Sequence, residues 1–139
     1  MTPSLKKLCI FGLATGVGQL VLQQTDDDRT AYRAQKLAES GQDAVDKCGI
    51  KVDRSMINRV RKKIDQVCID KTEFDIVEML SFLFLGLVDL ELVCNEKTTA
   101  LIEPIRKRAL WFMRIYDPKL DQEDNHARAM KKYNDWIDA

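Results

Sequence analysis

The chain has 139 residues, of which 45% are hydrophobic and 32% charged, and its 22 Lys and Arg are balanced by 22 Asp and Glu. Length and composition describe one soluble globular domain over residues 1–139 and exclude a disordered chain. A zero charge balance is unlike a nucleic-acid coat protein, which is basic overall, and it favours association near neutral pH.

Nearly every segment follows a helical period, and hardly any alternates as a strand would. A first helix is expected from about Ser4 to Gln24, capped by Ser4 after Pro3. It carries a charge-free run from Leu8 to Leu22 after Lys6 and Lys7. A positive start and a short apolar run are also the marks of an export signal. The run is shorter than the roughly 20 residues that span a bilayer, contains Thr15 and Gln19, and lacks a good cleavage site, so a buried core helix is the expectation. Gly12, Gly16 and Gly18 each cost about 1 kcal/mol of helix propensity against Ala. Close packing by a neighbouring helix would offset that cost.

Thr25 to Asp28 forms a turn whose carboxylates suit a helix N-terminus. A second helix follows from about Asp28 to Ser40, with an interruption expected at Ser40-Gly41 and a short helix over Gln42–Cys48 that stops at Gly49. The next begins after Asp53, a capping residue, and runs to about Ile69. Its apolar stripe is Met56, Ile57, Val60, Ile64, Val67 and Cys68.

Phe74 to Cys94 reads FDIVEMLSFLFLGLVDLELVC and is expected as the central helix, capped by Thr72 with Asp75 three residues on. At about 100° per residue, Asp75, Glu78 and Asp89 share one arc. Phe82 falls in the middle of that arc and Leu85 at its edge. If the acids face water, Phe82 and Leu85 are exposed in a single chain, so a partner contact is expected at both. A helix from Glu96 or Thr98 to Tyr116 follows, kinked or started by Pro104 and stopped by Asp117-Pro118. The last runs from about Asp121 to Ile137, with Ala127, Met130, Tyr133 and Ile137 on its apolar face. The expected fold is therefore all-α, a single-domain bundle of five to seven helices around the helix at 74–94.

The sharpest local pattern is QDAVDKCGIKVDRSMINRVRKK over residues 42–63. Ala44 and Val45 would pack inward, Gly49-Ile50 would turn, and Ser55, Asn58, Arg59, Arg61 and Lys62 would project from the second helix. Arg reads guanine and Asn reads adenine in the major groove. The segment resembles phage-type helix-turn-helix repressors and activators over about twenty residues, with SMINRV similar to a recognition helix. That resemblance implies DNA as a partner, although the turn from Gly49 to Ser55 is longer than the tight form. A second basic cluster, Arg106, Lys107, Arg108 and Arg114, is interleaved with Trp111, Phe112 and Tyr116, a mixture that can stack bases or hold phosphates.

No catalytic set appears. His126 is the only histidine, too few nitrogens for a metal site with Glu123, and neither a nucleophile elbow nor a phosphate-binding glycine loop is present. Cys9, Cys48, Cys68 and Cys94 lack metal or redox spacing and are expected as free thiols in a cytoplasmic protein. The expectation is a non-enzymatic protein–protein interaction module that associates with another protein or with itself, with no metal, cofactor or membrane partner. A DNA-binding regulator using residues 42–63 is the first alternative. An exported or membrane-tethered protein is the second.

Overall fold

A computed structural model describes the backbone of residues 1–68, 76–93, 95–120 and 123–138. Side chains are described for these except Cys68, Val77, Val93 and residues 113–120 and 123–126. The described residues form helices and their connections, with no strand among them: α1 (Pro3–Gln24), α2 (Asp28–Lys47), α3 (Arg54–Cys68), α4 (Ile76–Val93), α5 (Glu96–Leu120) and α6 (Glu123–Asp138).

The starts of the helices follow local chemistry. Thr2, two residues earlier than the expected Ser4, caps α1 by accepting a hydrogen bond from the Leu5 N–H, and Pro3 occupies the first turn, where no amide proton is needed. Asp27 accepts from the Thr30 N–H at 2.9 Å and from its hydroxyl at 2.7 Å. These hydrogen bonds hold the Asp27 carboxyl below the usual carboxylate range. Asp53 caps α3 through the Met56 N–H at 2.8 Å, and Asn95 caps α5 through the Thr98 N–H at 3.1 Å. Gly49 stands just past the end of α2 at φ +73°, a left-handed conformation in which a side chain is strained. Thr72, Phe74 and Asp75 lie outside the described residues.

Two expected breaks are absent. α2 runs through Ser40-Gly41 without interruption, and α5 continues past Asp117-Pro118 to Leu120; α5 begins at Glu96, so Pro104 lies within it and does not start it. Gly41 stays helical because it is the contact point with α1: a Cβ there would lie 2.6 Å from the Phe11 carbonyl oxygen and 2.8 Å from the Thr15 nitrogen. Gly18 does the same from the other helix, where a Cβ would lie 2.6 Å from the Ala34 carbonyl oxygen. Missing side chains at these crossings let two backbones approach, and that packing offsets the propensity cost of glycine. The Thr15 hydroxyl also reaches across to the Ala38 carbonyl at 3.3 Å.

α1 packs on α2, α3 and α4, while α4 packs on α1, α5 and α6. The centre of the bundle is thus shared by α1 and α4. One contiguous core holds Ile10, Phe11 and Leu13 of α1, Leu37 of α2, Leu80, Phe82, Leu83 and Leu87 of α4, Ile102, Ile105 and Phe112 of α5, and Tyr133, Trp136 and Ile137 of α6. α1 is long and apolar enough by composition to cross a membrane, and 56% of its most apolar window is buried inside the fold.

The buried face of α6 is rotated from the expected stripe. Met130 is 42% exposed and Ala127 is exposed, whereas Ala129, Tyr133, Trp136 and Ile137 are buried. The Trp136 indole N–H donates to the Lys63 carbonyl at 2.8 Å, and the Lys63 ammonium donates to the Trp136 carbonyl, so α3 and α6 are clasped by a reciprocal pair.

Cys9 and Cys48 are free thiols, and Cys68 and Cys94 lie outside the residues whose side chains are described. Burial pushes the Cys9 thiol up from 9.0 to about 11. A group whose folded pKa is raised contributes stability that is complete below the unfolded value and is lost as pH climbs through the folded one. The melting temperature should therefore fall between pH 9 and 11, and fall less steeply in Cys9→Ala. Equal slopes in the two proteins would remove Cys9 as a source of alkaline sensitivity.

Candidate functional site

The outer face of α4 was expected to show Phe82 to solvent. Instead Phe82 is fully buried within one chain. Its ring meets Tyr133 edge-to-face with centroids 5.8 Å apart, and Trp136 at a 45° tilt, also at 5.8 Å. The reason lies in the acids beside it. Glu78 and Asp89 do not face water as lone carboxylates. Lys132 of α6 reaches Glu78 at 3.2 Å, while Asp89 takes Lys6 of α1 at 3.0 Å and accepts from the Tyr133 hydroxyl at 2.9 Å. Cations on two neighbouring helices pair with Glu78 and Asp89, and α6 closes over the phenyl ring between them. Burial and the Asp89 hydrogen bond push the Tyr133 phenol well above its ordinary value. Phe82 is therefore a core residue, and the expected partner contact at this position is corrected.

Leu85 has a different setting. It is half-buried, and two further apolar side chains continue its row toward the end of the helix: Val88, 51% exposed, and Leu92, 81% exposed. With Ser81, these residues fall within an arc of about 60° at about 100° per residue, the 4-3-4 spacing of a helix–helix seam. On one flank stand Glu78 and Asp89, already paired to α6 and α1. On the other stands Glu91, which pairs with Arg106 of α5. The flanks are thus tied down within the chain, and the row between them is apolar and accessible. In the sequence, an exposed face centred on Phe82 leaves Val88 and Leu92 out. The i+3 and i+7 spacing from Leu85 was the available signal.

On α3, Ser55, Asn58, Arg59, Arg61 and Lys62 are all exposed. Arg54, Ser55, Asn58, Arg59 and Lys62 border one shallow depression. Among the described residues, none of these cations forms an ion pair. The scaffold behind this face differs from a helix-turn-helix unit, however. α2 and α3 each pack chiefly on α1 and not on one another. Val45 and Val60 are both partly buried against the core, and both line a groove shared with Leu8, Gly12 and Gly16 of α1. The basic face is therefore present without the first helix of the motif, α2, packed directly behind it.

The second basic cluster divides. Phe112 is buried, and Arg106 is engaged by Glu91 and Glu103. Lys107 and Arg108 are exposed, and Trp111 is half-buried. The side chains of Arg114, Tyr116, Glu123 and His126 are outside the described set. Among the described residues no group of three or more His, Cys, Asp or Glu is placed to hold a metal ion. No protein-family model matches the chain, and no curated protein or solved structure is significantly similar to it.

Proposed function

We propose that this protein is a non-enzymatic, cytoplasmic interaction module that associates with a second copy of itself through the outer face of α4. The observation that carries this reading is the apolar row of half-buried Leu85 and exposed Val88 and Leu92 between ion-paired flanks. A second copy suits that row on charge grounds. Pairing two α4 helices brings acids near acids, but Glu78, Asp89 and Glu91 each already hold a cation from their own chain. No uncompensated like charges then meet, and a chain with net charge +0 carries no long-range repulsion.

The expected strength is modest. Full burial of an exposed aliphatic side chain stabilises by roughly 1.5–3 kcal/mol. Three partly exposed side chains from each copy must offset an association cost of about 4–15 kcal/mol. The balance supports a weak dimer with a Kd in the micromolar range or above, formed and dissolved with concentration.

Sedimentation velocity from micromolar to near-millimolar protein tests this directly. The wild-type chain should shift from monomer to dimer across that range. Val88→Glu and Leu92→Glu should each hold it as a monomer with an unchanged helical circular-dichroism signal, since both side chains stand outside the core. A wild-type chain that stays monomeric throughout, or a dimer indifferent to both substitutions, would overturn the reading.

A further inference from the structure

The helical period that builds the core of α5 leaves its opposite side with a second row: Ala100, Glu103, Pro104, Lys107, Arg108 and Trp111, at spacings of three, four and seven. α2 presents Tyr32, Arg33, Lys36 and Asp43 to the same space. Between the two helices lies an open groove of about 1060 Å³. Its size is at the upper end of ordinary small-ligand sites.

The charges in this groove are unevenly compensated. Its two acids are each satisfied by a cation one turn along the same helix: Asp43 by Lys47 at 3.1 Å and Glu103 by Arg106 at 2.6 Å. Of its four cations only Lys36 has a carboxylate, Glu39 at 3.3 Å. Among the described residues, Arg33, Lys107 and Arg108 form no ion pair. The groove therefore offers net positive charge to an incoming anion.

It also offers flat surfaces. Tyr32 is 62% exposed, an unusual setting for a large ring on a helix. The Arg33 guanidinium lies over the Trp111 ring at 4.0 Å from its centroid, which holds that planar cation in place. Trp111 is itself braced edge-on by the buried Phe112, with centroids 4.9 Å apart. A carboxylate-rich peptide would use the cations and leave the rings idle. A ligand that joins a planar ring to phosphate uses both. The basic face of α3 has no aromatic side chain along its depression, so the two surfaces differ in kind.

We propose that the groove between α2 and α5 binds a nucleoside phosphate, either free or as a residue of a single-stranded nucleic acid, with the base stacked on Tyr32 or the Arg33 guanidinium and the phosphate held by Lys107 and Arg108. Stacking on a ring is indifferent to base identity, so little sequence preference is expected.

The test uses the full chain with two probes, fluorescein-labelled oligo(dT) read by anisotropy at low salt and unlabelled ATP as competitor. Oligo(dT) or ATP should bind and quench tryptophan emission. Tyr32→Ala should weaken binding about tenfold. Lys107→Ala combined with Arg108→Ala should weaken it by a similar factor and reduce the logarithmic salt slope by about 1.4, at ~0.7 for each lost contact to a single strand. All three side chains stand on the surface, and circular dichroism verifies that each variant is folded. Displacement of the oligonucleotide by ATP assigns the groove to free nucleotide. Retention against excess ATP assigns it to a residue within a strand. Absence of binding by both probes at low salt would overturn the proposal. So would binding that survives the groove substitutions but is lost in Arg59→Ala with Lys62→Ala, because the ligand would then sit on α3.

Discussion

Phe82→Ala should lower the free energy of unfolding by about 3–5 kcal/mol, the range found for removing a buried aromatic side chain. Phe82 is 0% exposed and fills the space between α4 and α6. It touches Tyr133 and Trp136, whose own rings are 6.2 Å apart, so the three aromatics form one cluster. Removing the middle ring strips both neighbours of dispersion contacts and leaves a cavity that two helix backbones cannot close. A typical domain has only about 5–15 kcal/mol in total, so this single change consumes a large share. Urea denaturation gives the value. The oligomeric state of the folded fraction should stay as in the wild type, because Phe82 faces α6 and not the solvent side of α4. A loss below about 1 kcal/mol would mean that α6 does not pack on this ring.

Gly41→Ala should destabilise by about 1–3 kcal/mol, the usual cost of overpacking, even though Ala in place of Gly within a helix ordinarily gains about 1 kcal/mol. The sign is decided by what the new methyl would meet. Its nearest neighbours are the Phe11 carbonyl oxygen, the Thr15 hydroxyl oxygen at 2.7 Å and the Thr15 nitrogen. Two of the three are α1 backbone, which yields only if the helices part. Gly12→Ala is the internal comparison. The methyl there meets chiefly the tip of the Ile64 side chain, Cδ1, which can rotate aside. Thermal melts of the two variants should therefore separate clearly, with Gly41→Ala well below wild type and Gly12→Ala within a few degrees of it. If Gly41→Ala melts above wild type, the close crossing of α1 and α2 is wrong.

The sequence leads to the proposed interaction face through one residue and away from it through another. Leu85 belongs to the accessible apolar row, at its half-buried end, and Phe82, three positions earlier, does not. Both followed from a single premise, that Asp75, Glu78 and Asp89 face water as unpartnered carboxylates, of which the described residues include Glu78 and Asp89. The premise fails because Lys132, Lys6 and Tyr133 arrive from α6 and α1. Those residues lie far away in sequence, and no local pattern announces the pairing. The groove between α2 and α5 was half legible for the same reason. The mixture of aromatic and basic residues on α5 is visible in the chain, but Tyr32 and Arg33, which complete it, come from a helix whose docking depends on Gly18 and Gly41.

Local chemistry by itself determined that the chain is helical, roughly where each helix lies, and several of its caps. These features depend on residues a few positions apart: the period of 3.6, the side-chain oxygens of Asp27, Asp53 and Asn95, and the positive φ of Gly49. Tertiary structure alone decided which faces are buried. α4 is apolar nearly all round, so its own sequence cannot choose a face, and the cations of its neighbours made the choice. α6 carries two overlapping apolar rows. The one with Trp136 is buried because that indole can meet both the Phe82 ring and the Lys63 carbonyl. The apparent break at Gly41 became a continuous helix because the side chain it lacks is the space α1 occupies. In each case a contact between residues distant in the chain outweighed a preference of order 1 kcal/mol, which is all that local propensity supplies.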